Sequence, residues 1–120
     1  MPPIPRRNAT LFLGAAALVL LAFAAQRFAG SPGAVRLLDN LHWTISYAAG
    51  ALLAYLGWRA APPERRREQG WFCAGLAAYT LGQLLWDAQV ALDWNPFPGP
   101  SDAFYILLGP FLGEIGRAHV

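Results

Sequence analysis

Within the apolar run "WFCAGLAAYTLGQLLWDAQVAL", Tyr79, Gln83 and Asp87 recur at intervals of four. That spacing puts a phenol, a carboxamide and a carboxylate on one face of a helix. Turned into a helical bundle, the stripe can line a ligand or proton site. Turned against a neighbouring helix, it hydrogen-bonds across the interface and holds it, which is the commoner use. A carboxylate at mid-bilayer costs about 2.5–3.5 kcal/mol on insertion scales, but Asp87 sits near the end of its run, where headgroup water lowers the cost. His42, near the start of another run, falls at a similar depth. A His42–Asp87 pair is therefore a candidate pH-responsive element or part of a metal site. One histidine among scattered acids (Asp39, Asp87, Asp93) has no metal-ligand spacing, however, and an interfacial histidine is ordinarily solvated. Asp87, Gln83, Tyr79 and His42 are the candidate sensing residues.

Catalysis has no such footing. The chain contains no G-x-x-x-x-G-K-[ST], G-x-G-x-x-G, C-x-x-C or G-x-S-x-G pattern, so neither enzyme activity nor a cofactor or bound metal is expected. Cys73, the single cysteine, lies in an apolar run and reads as a packed, inert thiol rather than a palmitoylation site. Charged residues are 13% of the 120-residue chain and hydrophobic ones 56%, against about 25% charged in an average soluble domain. The basic residues are all arginine, and they stand between apolar runs rather than on one face, which argues against nucleic-acid binding. Their charge instead reports membrane orientation.

Three apolar runs must position the polar residues: Ala9–Ala25, Leu41–Trp58 and Trp71–Leu92. Each approaches the ~20 residues a helix needs to cross a bilayer, and none alternates with the period of a strand. Trp43 and Trp58 stand about 22 Å apart along a helix, and Trp71 and Trp94 about 34 Å, spacings that suit indoles at two headgroup layers. The expected fold is an all-α integral membrane bundle: three complete transmembrane helices over about 9–25, 41–58 and 71–92, with the start of a fourth over 103–113. A soluble helical bundle fits less well, because runs apolar on every face leave little polar surface.

Arg6, Arg7, Arg59, Arg65, Arg66 and Arg67 fall on one side of this arrangement, and Arg27 and Arg36 on the other. The positive-inside rule then places residues 1–8 and loop 59–70 in the cytoplasm, with loops 26–40 and 93–102 outside. The first run also resembles a signal peptide, ending in "AFAAQ", but its length and the further runs favour an uncleaved span.

The third loop, "NPFPGPSD", is stiffened by Pro96, Pro98 and Pro100. Ser101 or Asp102 is expected to cap a helix starting at Ala103, Phe97 to dip into the interface, and Gly109–Pro110 to kink the fourth span.

The succession of "LGQLLWD", a loop of about ten residues, and "FP…SDAFYILLGP" resembles the N-terminal multi-span region of bacterial membrane signalling proteins with GGDEF, EAL, PAS or histidine-kinase output domains. Gly82, Trp86, Phe97, Pro98, Ser101, Asp102, Phe104, Tyr105 and Pro110 carry the likeness, over about Leu81 to Leu112. It departs at "PGPSD", where the family more often has serine directly after Phe-Pro, and at Gly109, where an aromatic is usual. The resemblance implies a sensory or anchoring module in a bacterial inner membrane, in particular that of a cyclic-di-GMP diguanylate cyclase or phosphodiesterase. Its partners would be the lipid bilayer, further helices, a cytoplasmic output domain and, in full-length form, a second copy in a homodimer. Glu114–Val120, "EIGRAHV", can be written GAG ATC GGA AGA GCA CAC GTC, which resembles a short-read sequencing adapter. The frame is thus expected to continue past Gly113, with 114–120 an artefact. The alternatives are a transporter or permease fragment, which would show repeats and broken helices, and a small standalone membrane protein.

Overall fold

The computed structural model describes residues 3–118. Among these there is no strand, and five helices follow in order: α1 (Arg6–Gln26), α2 (Pro32–Ala60), α3 (Pro63–Ala91), α4 (Pro100–Ile106) and α5 (Leu108–Ala118). The all-α class is as expected. The helices outrun the apolar runs that predicted them. At 29 residues each, α2 and α3 are about 43 Å long. Most residues of the loops expected over 26–40 and 59–70 are helical.

Proline explains the early starts. Pro32, Pro63 and Pro100 each occupy the first helical position, where a fixed φ favours the helix and the missing N–H costs nothing. The Ser31 hydroxyl completes the α2 start by accepting from the Ala34 N–H at 3.2 Å. In α3 the segment "ERRREQ" consists of good helix formers, so only Ala61 and Pro62 are left to connect α2 to α3. The far end of α3 closes with Asp93 in the left-handed region, φ 50°. There the Trp94 N–H reaches the Gln89 carbonyl at 2.9 Å and the Asp93 N–H reaches that of Val90 at 3.2 Å. This is a Schellman closure, with aspartate where glycine is usual.

The helices lie side by side. α1 packs only on α2, α2 on α3, and α3 on both α4 and α5. The result is one layer of helices, 50 × 36 × 17 Å. Its contacts are made by small residues: among the described residues Ala22, Ala54 and Ala78 are the buried apolar side chains, and Gly75 and Gly82 are buried with them. Phe12, Leu20, Leu21, Phe28, Leu81 and Leu84 all point outward. Ala54 and Ala78 are buried on α2 and α3, whereas Gly82 turns toward α4.

Only α1 among the described residues is both long and apolar enough to cross a bilayer by length and composition, and almost none of that window is buried by the rest of the chain. α2 and α3 have the length, but Trp, Tyr, Thr, Gln and Asp within them lower their hydropathy.

The fourth run starts at Pro100 rather than Ala103 and is broken at Leu107. Pro110 has no N–H to offer the Ile106 carbonyl, and its ring crowds that oxygen, so the helix gives way one turn before the proline. Pro110→Ala should heal the break. We expect one continuous helix from Pro100 and a stabilisation of this segment by about 1–2 kcal/mol, read as slower amide hydrogen exchange at residues 106–110.

A polar site between α2, α3 and α4

Asp87 is the centre of a hydrogen-bonded group that joins three helices. Its Oδ2 accepts from the Thr44 hydroxyl of α2, and its Oδ1 from the Gln83 Nε2 one turn earlier on α3, at 3.0 Å. The other end of the Gln83 carboxamide, Oε1, accepts from the Tyr105 hydroxyl of α4 at 3.0 Å. Gln83 is buried, and with this arrangement both ends of its side chain are satisfied. Beside the group, Trp86 Nε1 donates to Asn40 Oδ1 at 3.3 Å. The rings of Tyr47, Tyr79 and Tyr105 follow one another from α2 through α3 to α4, at centroid separations of 4.6 and 4.7 Å.

Helical periodicity places each residue. Tyr79, Gln83 and Asp87 do share one face of α3, as their spacing requires. Asn40, Thr44 and Tyr47 form the matching stripe on antiparallel α2, so Thr44 meets Asp87 and Tyr47 meets Tyr79. The Thr80 hydroxyl, 3.0 Å from the Tyr47 carbonyl, adds a further link between the same two helices.

His42 stands apart from Asp87. Two residues before Thr44, it is about 200° around α2 and faces away from α3. Its ring meets Phe23 of α1 at 6.2 Å and Trp43 at 4.8 Å. Its Nδ1 lies 3.6 Å from Asp39 Oδ1, beyond hydrogen-bond length. Thr44, rather than a histidine, partners the Asp87 carboxylate.

The loop residues are also redistributed. Neither Ser101 nor Asp102 caps a helix at Ala103, because the helix has already begun at Pro100. Asp102 occupies the third helical position, and its Oδ2 accepts from the Gly99 N–H at 2.7 Å. Gly99 has no side chain, so only this half of a capping box is made. Ser101 is buried, and its N–H donates to Gln89 Oε1 at 3.3 Å, pinning α4 to α3. Phe97 is 93% exposed and precedes Pro98 through a cis peptide bond.

Proton counting shows what the group can do. The Thr44 hydroxyl has one hydrogen and two acceptors in range, Asp87 Oδ2 and the Asn40 carbonyl at 2.8 Å. With Asp87 ionised, that hydrogen serves the carboxylate. With a proton on Oδ2, the carboxyl donates to Thr44 Oγ1 and Thr44 turns its own hydrogen to Asn40. Either arrangement of hydrogens leaves no buried donor stranded. A cleft of 330 Å³ lies over the group, with Tyr47, Tyr79, Gln83, Trp86 and Tyr105 in its wall. Among the described residues, no three His, Cys, Asp or Glu side chains gather as metal ligands.

Thr44, Asn40 and Tyr105 are site residues that sequence reasoning missed. The signal for the first two is present, since Asn40, Thr44 and Tyr47 recur at the spacing of one helix face, but Asn40 precedes the apolar run and so reads as loop. Tyr105 offers no periodic signal. No family model, curated protein or solved structure matches the chain, so the reading of this site rests on its own geometry.

Proposed function

We propose that the chain is the membrane-embedded input region of a bacterial signalling protein, with α1, α2 and α3 as spans and α4–α5 as the start of a fourth. The observation that carries the membrane half of this reading is the inverted packing. Small residues are inside and large apolar residues outside, in a single layer of helices. A water-soluble domain needs at least two layers to bury such side chains. In lipid, by contrast, close approach through Gly and Ala is how helices associate. Arginine placement favours a cytoplasmic N-terminus, and the resemblance to bacterial sensor regions an inner-membrane location.

The signalling half is supported by the group around Asp87 together with the likeness of Leu81 to Leu112 to multi-span sensor regions. A proton on Asp87, or a ligand in the 330 Å³ cleft, changes the bonds joining α2, α3 and α4 and so biases their packing. Further helices of the same protein would carry that shift to a cytoplasmic GGDEF, EAL or kinase domain. Sequencing the genomic locus past the codon for Gly113 tests the reading. The expected result is a frame running on through more spans into such a domain. A stop codon directly after Val120 would overturn it.

A further inference from the structure

At the outer end of the α2–α3 hairpin, two cavities adjoin. The first, 400 Å³, is lined by Arg36, Asp39 and Asn40 of α2, by Trp86 and Gln89 of α3, and by Asp93 and Trp94 beyond it. The second, 270 Å³, shares Arg36, Asn40 and Val90 with the first and continues between the helices past Gly33, Leu37, Leu41 and Ala91, with Thr44 and Asp87 of the polar group also in its wall. One compartment is charged and aromatic and the other mainly apolar, and Arg36 borders both. We propose that this double cavity binds one phospholipid whose headgroup carries a phosphate and a primary ammonium. The phosphate would lie on Arg36, the ammonium toward Asp39 and Asp93, and an acyl chain in the apolar groove. This inference rests on the membrane reading above, and it names a lipid that the same region recognises.

Charge complementarity favours this occupant. Arg36 is in no ion pair among the described residues, so its guanidinium is available to an anion. The two carboxylates, and the negative end of the α3 dipole beside them, favour a cation in the same cavity. Neither a purely anionic nor a purely cationic ligand satisfies both. Gln89, which also lines this cavity, is 3% exposed and is held by the Ser101 N–H, so it forms a fixed wall of the site. Trp86 and Trp94 also line this cavity, and indoles attract cations. Arginine counting puts this end of the hairpin at the outer headgroup layer, and the apolar groove leads from it toward the hydrocarbon. A soluble zwitterion would use only the first cavity; a lipid uses both.

The test uses the full chain in detergent micelles, titrated with phosphatidylethanolamine, phosphatidylglycerol and phosphatidylcholine of matched acyl chains, and separately with soluble O-phosphoethanolamine. Bound molecules are counted by native mass spectrometry. Phosphatidylethanolamine should be retained about fivefold over phosphatidylglycerol, the scale of one interfacial charge contact. Arg36→Gln should weaken every phospholipid, and Arg36→Lys should restore most of that loss. Asp93→Asn should abolish the preference for ethanolamine without unfolding the chain, because asparagine tolerates the left-handed φ of 50°. Equal retention of the three lipids, or no loss with Arg36→Gln, would overturn the proposal. O-phosphoethanolamine binding as strongly as the lipid would overturn the lipid source in favour of a free zwitterion. Flotation with liposomes separates the two levels. A chain that floats but shows no headgroup preference refutes this site alone, whereas one that does not float refutes the membrane reading beneath it.

Discussion

Gly82→Ala weakens the α3–α4 contact by about 1–2 kcal/mol, although alanine is the better helix former by about 1 kcal/mol. A Cβ built on Gly82 would stand 2.9 Å from Tyr105 Cδ1 and 3.1 Å from the Ser101 carbonyl oxygen. The tyrosine ring is held between Tyr79 and Gln83, and a backbone carbonyl cannot swing aside, so the added methyl forces the helices apart. The overpacking cost, about 1–3 kcal/mol, outweighs the propensity gain. Two controls fix the interpretation. At Gly75 the close atom is Leu108 Cδ1, at 2.9 Å, the tip of a flexible side chain. Gly75→Ala should therefore fall near neutral. At Gly14 nothing lies within 4 Å, so Gly14→Ala should stabilise α1 by up to about 1 kcal/mol. Denaturant titration of the chain in mild detergent, followed by helicity, reads all three. The ranking Gly14→Ala, Gly75→Ala, Gly82→Ala, from most to least stable, is the expected result. Equal effects at Gly82 and Gly75 would mean that α4 is not seated against Gly82.

Gln83→Leu should cost about 2–3 kcal/mol, while Asp87→Asn should stay within about 1 kcal/mol of the native chain. The two substitutions separate the hydrogen bonds themselves from the groups stranded by their loss. An interhelical bond in lipid averages only about 0.6 kcal/mol. Leucine at 83, however, leaves the Tyr105 hydroxyl and Asp87 Oδ1 without the partner each now has, and stranding buried polar groups costs more than losing the bond. Asparagine at 87 leaves each present partner satisfied and adds one amide hydrogen to place. Its Oδ1 keeps the bond from Gln83, its Nδ2 donates to Thr44 Oγ1, and Thr44 donates to the Asn40 carbonyl. Toward Thr44 and Gln83 that is the hydrogen-bond pattern of the protonated aspartate. Asp87→Asn should therefore fold normally and, if the proposed sensory role holds, fix the intact protein in one output state. Thermal unfolding in detergent measures the first effect, and intracellular cyclic-di-GMP or phosphotransfer in cells carrying the intact gene measures the second. Unchanged output with Asp87→Asn would return the group to a purely structural role.

Much of this arrangement is legible in residue order. The i, i+4, i+8 spacing of Tyr79, Gln83 and Asp87 puts them on one face, and that face does join neighbouring helices. The Gly109–Pro110 step announces an interruption, and the helix is interrupted at Leu107. Helix ends are less legible, because a charged stretch reads as loop. The segments before Leu41 and before Trp71 are polar, but Pro32 and Pro63 at first helical positions and the run of Glu, Arg and Gln make them helical. Polarity there marks where a helix would leave the bilayer, not where it ends. Which partner each polar residue takes depends on azimuth across two helices, information that no single stretch contains. His42 and Asp87 match in depth, yet 200° of helix rotation separates His42 from the face that Thr44 presents to Asp87. The single-layer packing is not legible at all, since it follows from which small residues meet.

If α2 and α3 form a hairpin across the membrane, its tight Ala61–Pro62 connection lies in the cytoplasm and the proline-rich loop outside. Cysteine labelling tests this most directly. In a Cys73→Ser background, Glu64→Cys and Asn95→Cys each place one thiol at an exposed position, at opposite ends of α3. With a membrane-impermeant maleimide on intact spheroplasts, Asn95→Cys should label at once and Glu64→Cys only after lysis. Labelling of both thiols from the same side, or recovery of the chain in the soluble fraction, would contradict the hairpin and the membrane assignment built on it.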